Sequence, residues 1–469
     1  MRLRKLKIAV LSSVCVLLLN ACSTMLTDYN RTSLPEVDSF AQAYKYVGGP
    51  IEAEFWKGFA DKNLDHLIQS AISNNPDMRT ALLNVKKASL TLDLSYDERV
   101  PDLNATLSTG LSKSLDDGSA WSKTSSGRLT LSYATDLFGK ISADNRSALE
   151  NYVATAYDYW ACRLTIINSV ADAYWQYAYA REALKIGEED LRDSEKRVRM
   201  IEGQYQQGAV SSVEVDRARI NHLTVSNTLD SRRHDFNKAK TALNTLLGVT
   251  ADKEQTVSSL DSSYLPSFSL DIPARLLSRR PDLMAKEALV RKAYADVDVK
   301  RLAFYPDFTL EASISEGNSN GFLNFLKNPV AALGAAITLP FLNWNNLQLQ
   351  LDQARTDREI ADVAFVQTYI KAVAEVYDYV SAIELYRRSE VTLKENVTLS
   401  RRNYEAYYNI YTQGGCSLND LIDAADSLRG NEVSYLQARR NLLESVMGLM
   451  IALGGDTQEV AVIEDKKKN

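Results

Sequence analysis

In the stretch Leu103-Asn104-Ala105-Thr106-Leu107-Ser108-Thr109-Gly110-Leu111-Ser112, Leu103, Ala105, Leu107, Thr109 and Leu111 alternate with Asn104, Thr106, Ser108, Gly110 and Ser112. A period of two belongs to an extended strand, whose successive side chains point to opposite faces. Leu129, Leu131 and Tyr133 alternate in the same way with Arg128, Thr130 and Ser132. Farther on, Phe308, Leu310, Ala312 and Ile314 alternate with Thr309, Glu311, Ser313 and Ser315, and Leu333, Ala335, Ile337 and Leu339 follow. These predict two strands of about ten residues in each half of the chain, joined by polar loops at Lys113 to Gly127 and Glu316 to Asn328. Their length and alternation match outer-membrane barrel strands.

The two strand pairs sit in an internal duplication. Pro76-Asp77 and Pro101-Asp102 recur as Pro281-Asp282 and Pro306-Asp307, displaced by 205 residues. The offset persists: Val85-Lys86-Lys87-Ala88 aligns with Val290-Arg291-Lys292-Ala293, Tyr205-Gln206-Gln207-Gly208 with Tyr411-Thr412-Gln413-Gly414, and Leu247-Gly248 with Leu453-Gly454. Two long copies do not suit a solenoid, which stacks many short units.

Outside the strands the period becomes helical. From Lys140 to Tyr205 the chain has no proline, and Leu149, Val153, Ala156, Trp160, Leu164 and Ile167 recur at steps of three and four. Leu184, Leu191, Val198 and Tyr205 then keep a seven-residue step, the spacing of a coiled-coil seam. Such a helix is roughly 100 Å long at helical rise. A second helix from about Ser211 to Gly248 covers only half of it, so a partner across Asn63 to Arg99 is expected to cover the rest. Repeat two is read in the same way, with helices at about 281–300, 345–411 and 418–453.

Four strands cannot close a barrel, and an open sheet edge is not tolerated in lipid. The chain must therefore associate with copies of itself. Two copies give eight strands and a filled interior, whereas three give twelve and room for a pore. A water-soluble sheet on a helical stalk, a non-channel periplasmic coiled-coil scaffold, is the alternative; its strands need no lipid-facing stripe.

The N-terminus combines Arg2, Arg4, Lys5 and Lys7 with an apolar run from Ile8 to Leu19, a secretory signal too short to span a bilayer. Removal of residues 1–21 takes the formal charge from −6 to −10, because it removes four basic residues and no acid. So acidic a chain is a poor partner for nucleic acid. Cys15 leaves with the signal, and Cys162 and Cys416 are too far apart along the predicted helices to bridge. His66, His222 and His234 share no metal-ligand spacing, no nucleophile and base pair is evident, and no cofactor or enzymatic activity is expected. His222 falls on a helix seam, where packing is its expected role.

Leu19-Asn20-Ala21-Cys22 resembles the lipobox of bacterial lipoproteins, which implies acylation of Cys22 and, with Ser23 following, sorting to the outer membrane. As a whole the chain resembles the TolC-like outer membrane factors, in particular the lipoprotein branch serving resistance-nodulation-division efflux systems. The words that carry the resemblance are Leu277-Ser278-Arg279-Arg280-Pro281-Asp282-Leu283, the Tyr-x-x-Gly tips of both repeats, and Asp136-Leu137-Phe138-Gly139-Lys140. The resemblance implies an α+β membrane protein. It further implies a homotrimer whose long α-helical coiled coils form a periplasmic tunnel and whose four β-strands per chain form a trimeric twelve-stranded outer-membrane β-barrel. It also implies a periplasmic membrane fusion (adaptor) protein and an inner-membrane resistance-nodulation-division transporter as partners. Drugs, toxic compounds or metal ions would then leave through a passive duct. The outer channel of type I protein secretion is the alternative within the class; its members are usually not lipoproteins, so Cys22 favours efflux.

The resulting division is a signal peptide over 1–21, a lipidated segment over 22–62, repeat 1 over 63–248, an equatorial linker over 249–280, repeat 2 over 281–455 and a tail over 456–469. Candidate sites cluster at the helical tips. The resemblance places acids at Asp420 and Asp423 around the periplasmic entrance, with Tyr411 beside them. Arg217, the repeat partner of Asp423, is a possible substitute for the arginine that Cys416 replaces. Ser417-x-x-Asp420 and Ser211-x-x-Glu214 both read as capping boxes, which competes with a gating role for Asp420; Glu214, with Arg217, is the candidate gate residue of the repeat-one tip. Gln207, Gly208 and Ala209 of one tip and Gln413, Gly414 and Gly415 of the other are the expected adaptor contacts.

Overall fold

Proline 76 has no backbone N–H to donate, so the helix before it must end. In the computed structural model, which describes residues 26–34, 54–116, 120–266, 279–316 and 330–455, α1 spans Lys62–Asn74 and α2 spans Pro76–Asp97. A single partner helix across Asn63 to Arg99 is therefore corrected to two. Asn75 makes the joint: its Oδ1 accepts from the Asp77 N–H at 2.8 Å, and its Nδ2 donates to the Leu246 carbonyl at 2.9 Å.

The remaining elements follow the duplication. Strands β1 (Asp102–Ser112) and β2 (Ser122–Thr135) lead into α3 (Lys140–Gln206) and α4 (Ser212–Leu246). Then α5 (Pro281–Leu302), β3 (Asp307–Glu316), β4 (Val330–Thr338), α6 (Trp344–Thr412) and α7 (Leu418–Ala452) repeat the order. The long helices have 67 and 69 residues and the short ones after the tips 35 each, so the equivalence of the two copies extends to element length. Among the described residues no helix is long and apolar enough to cross a membrane.

The strands form one antiparallel sheet in the order β1-β2-β3-β4, so the join between repeats is the β2–β3 ladder. Strand β2 begins at Ser122, and the loop expected over Lys113 to Gly127 is correspondingly shorter. Its first residues pair with β1 from Ser112↔Ser122 to Leu107↔Gly127, helped by a 2.7 Å bond between the hydroxyls of Ser108 and Ser126. Both faces are polar there, so hydrophobic alternation could not reveal the strand. The other expected loop lies outside the described residues beyond Glu316.

By their contacts the described residues divide into two compact units, one drawn from 26–34, 83–156 and 284–367, the other from 54–82, 157–283 and 368–455. In the sheet-bearing unit, the segment 27–32 is strapped to α5. The Thr27 N–H and hydroxyl both donate to the Asp298 carboxylate, at 2.8 and 2.6 Å, and Arg146 and Arg301 pair with the same group. Asp298 is completely buried, and a buried carboxylate persists only when paired in this way. Beyond it, Tyr29 packs edge-on against Tyr294 and Arg31 reaches Glu287 at 3.1 Å.

The second unit is cored by Trp56, Phe59, Leu64, Ile68, Tyr174 and Trp175, all essentially inaccessible. Asp61 caps α1 by accepting from the Asn63 N–H at 3.0 Å, and also receives the Tyr174 hydroxyl at 2.7 Å. Arg280, in the motif that opens repeat two, is buried and binds Asp282, Glu375 and the Ala452 carbonyl. That motif thus ties the start of α5 to α6 and the end of α7. Gly187 lets α4 approach α3 closely; a Cβ there would stand 3.0 Å from Arg232 and 3.1 Å from Leu229.

Candidate functional site

Both tips are built by one device. A long helix ends when a residue adopts the left-handed conformation open to glycine; Gly208 has φ +71° and Gly414 φ +75°. The Gly208 N–H donates to Tyr205 and the Ala209 N–H to Gln204, both at 2.9 Å, and Gly414 and Gly415 repeat the pattern on Tyr411 and Ile410 at 2.9 Å. A short polar turn then starts the next helix. Gln207, Gly208 and Ala209, with Gln413, Gly414 and Gly415, are all exposed.

Behind the turns lies an apolar cluster of Ile201, Val215, Ala218, Tyr411, Leu418 and Leu421, drawn from both repeats. Tyr411 is 7% exposed, and its hydroxyl donates to Gln204 Oε1 at 3.1 Å. Burial, then the charges of Glu214 and Cys416, push its hydroxyl pKa up. Tyr404 joins the cluster's margin and stands 6.4 Å from the ring of Tyr408.

The two starts after the turns differ. At α7 the capping box forms: Ser417 Oγ accepts from the Asp420 N–H at 3.2 Å, and Asp420 Oδ2 accepts from the Ser417 N–H at 2.9 Å and its hydroxyl at 2.7 Å. Those bonds from Ser417 hold the Asp420 carboxyl below its ordinary value. At α4 the expected box does not form, for Ser211 makes no side-chain cap. Glu214 lies 3.9 Å from Arg217, one turn farther on the same helix. Asp423 is exposed, one turn beyond Asp420.

Above the cluster is a charged layer that the apolar pattern did not reveal. Arg429 of α7 binds Asp193 of α3 at 2.8 Å and Glu432 at 2.9 Å, and the buried Arg197 donates to Asn221 of α4 at 3.1 Å. Burial raises the Asp190 carboxyl against the pull of Arg197 and Arg429. A signal exists in retrospect, since Asp190, Arg197 and Gln204 keep a seven-residue step beside the apolar seam. His222 lies between helices with Nδ1 2.9 Å from Ser194 Oγ. Cys162 and Cys416 are free thiols, and Cys22 lies outside the described residues. Among the described residues no group of three or more His, Cys, Asp or Glu could hold a metal ion.

In the sheet, register places Leu103, Leu131, Ala312 and Leu333 on one row and Leu107, Leu129 and Ile314 on the same face. Leu107 and Leu333 are 66% and 89% exposed. The opposite face carries Asn104, Thr130 and Ser313. A sheet with an exposed apolar face, β1 and β4 paired on one side only, carried on long seamed helices, defines an outer-membrane channel.

The comparisons agree. The chain belongs to the outer membrane efflux protein family, whose model matches residues 67–249 and 272–455, both repeats. Its similar relatives include the pyoverdine export outer membrane protein OpmQ of Pseudomonas aeruginosa, 29% identical over 86% of this chain and 88% of that protein. Cation efflux system protein CusC of Escherichia coli is 27% identical over 94% of this chain and 98% of that one. Among solved structures, CusC superposes with a TM-score of 0.80 at 26% identity, covering 92% of this chain and 99% of that one. The Campylobacter jejuni CmeC outer membrane channel superposes at 0.84 with 22% identity, covering 95% and 97%. The fold class expected from the sequence, helical tunnel with four barrel strands per chain, is the one found.

Proposed function

We propose that three copies of the chain close a twelve-stranded outer-membrane barrel continued by a helical periplasmic tunnel, and that this is the outer channel of a tripartite efflux pump. The observation that carries the reading is a sheet with two unpaired edges and an exposed apolar face. Neither edge survives in lipid unless a neighbouring copy pairs with it, and twelve strands are enough to leave a pore. Acyl chains on Cys22 anchor the complex beside the barrel. The duct is passive; an inner-membrane resistance-nodulation-division transporter supplies the driving force through a periplasmic adaptor.

In this reading Gln207, Gly208, Ala209, Gln413, Gly414 and Gly415 meet the adaptor, and Asp420, Asp423, Tyr411, Arg217 and Glu214 line the entrance. Relatives are named for pyoverdine export and for cation efflux, so the shared fold leaves the choice of cargo to the pump. The test is photo-crosslinking in intact cells. Probes at Gln207 and Gln413 should capture the periplasmic adaptor, while a probe at Leu115, in the loop after β1, should not. Capture at Leu115 alone, or fatty-acid labelling that survives Cys22→Ser, contradicts the arrangement.

A further inference from the structure

The polar face of the sheet is not uniformly polar. On the side-chain parity opposite to the leucine stripe, the described strands carry Asp102, Arg128, Asp307 and Glu311 as their charged residues. Asp307 sits at the start of β3 and is paired with Lys140 at 3.1 Å. The other three are exposed and fall on two separate rows.

Register fixes those rows. Asp102 faces Ser132, and Ser132 faces Glu311, so both acids flank one residue of β2 at the level where the strands leave the helices. Arg128 is four residues farther along β2, flanked by Thr106 and Ser315. At strand rise this separates the rows by about 13 Å. Three copies would set six carboxylates on the lower level and three guanidinium groups on the upper one.

We propose that the barrel lumen is bipolar: Asp102 and Glu311 make an acidic row at its periplasmic end, and Arg128 makes a basic row nearer the cell exterior. Together they set which charge of solute dwells at each level. This rests on the reading of a trimeric barrel whose polar face is the lumen. A spacing of about 13 Å exceeds the Debye length of about 8 Å at physiological salt, so the two rows act as distinct potentials rather than cancelling. Cationic cargo arriving from the tunnel is concentrated at Asp102 and Glu311. Cations outside meet Arg128 first, and external anions that pass it are turned back at the acids.

Cysteine accessibility tests both levels at once. In a Cys162→Ser, Cys416→Ser background, Thr106→Cys reports the basic row and Ser132→Cys the acidic row. Leu107→Cys and Leu131→Cys report the leucine face. Each is treated in outer-membrane vesicles with a sulfonate-bearing and a trimethylammonium-bearing methanethiosulfonate. The ratio of anionic to cationic reaction rates should be about tenfold higher at Thr106→Cys than at Ser132→Cys, the factor expected where the local potentials differ by about one kT, since reagents of opposite charge respond in opposite senses. In Arg128→Gln the ratio at Thr106→Cys should fall, narrowing the difference while the ratio at Ser132→Cys stays low, and in Arg128→Lys the full difference should persist. Equal ratios at the two positions, or a ratio indifferent to Arg128→Gln, overturn the proposal while leaving the barrel intact. Reaction at Leu107→Cys and Leu131→Cys as fast as at Thr106→Cys instead removes the barrel reading itself.

Discussion

Tyr411 in repeat two donates its hydroxyl hydrogen to the side-chain oxygen of Gln204 in repeat one, 3.1 Å away. The two tips of one chain are thereby joined by a polar contact set in an apolar cluster. Tyr411→Phe keeps the ring and removes the donor, which should loosen the tips by about 1 kcal/mol, or about fivefold faster amide exchange over 204–211 and 409–416. Gln204→Leu should do the same, and the double variant should add little, because both changes delete one bond. Since burial raises the Tyr411 pKa, the donor is fully present below its ordinary value near pH 10 and is lost only as pH rises through the raised one. Exchange in Tyr411→Phe indistinguishable from the unaltered chain contradicts the link.

The unequal caps give a paired test. Ser417→Ala should cost about 1 kcal/mol, the usual worth of a helix cap, whereas Ser211→Ala, which removes no cap bond, should change thermal stability by less than about 0.5 kcal/mol. Because Ser417 lowers the Asp420 pKa, the cap's contribution is present above the ordinary carboxylate range and is lost as pH falls through the lowered value. Equal losses from the two serines would show that the boxes are equivalent after all.

Asp172 offers a pH signature away from the tips. Burial first, then Glu444, raise its carboxyl from 3.8 to about 7, opposed by Arg440 and by the Asn168 bond. A carboxyl raised in the folded chain contributes most below its unfolded value and loses that contribution as pH climbs to the folded one. Melting temperature should therefore decline between about pH 4 and pH 7. Asp172→Asn, which stays neutral, should flatten that slope, and calorimetry across the range reads it directly. A slope as steep in Asp172→Asn as in the unaltered chain refutes the assignment.

The acids at the entrance carry a separate expectation. Asp420→Asn with Asp423→Asn should lower cation preference and weaken block by multivalent cations in planar bilayers, with smaller effects from each single change. Asp420 also caps α7, so stability is measured beside conductance. Unaltered selectivity with a lowered melting temperature would reduce these aspartates to caps.

Much of this was legible because two periodicities are written plainly. The leucine alternation of β1 and the seven-residue step from Leu184 to Tyr205 report strand and helix, and most element bounds followed within a few residues. The missed start of β2 at Ser122 has serine and threonine on both faces, where pattern carries no information. Pro76 was visible, but its effect on the helix needed Asn75 to reveal a clean break. Ser211 makes no cap although Glu214 stands at the right spacing, and Glu214 has Arg217 as a second short-range partner; spacing alone does not say which contacts form. The Arg429 layer and the Asp298 clamp join residues more than 200 apart in the chain. Such pairs become visible only when the helices are laid side by side.

The most direct test of the central claim is the native mass of the protein extracted in mild detergent. Because β1 and β4 must pair across copies, it should behave as a trimer, about three times the chain mass, that heat converts to monomers. A monodisperse monomer that keeps its strands under the same conditions would contradict the barrel.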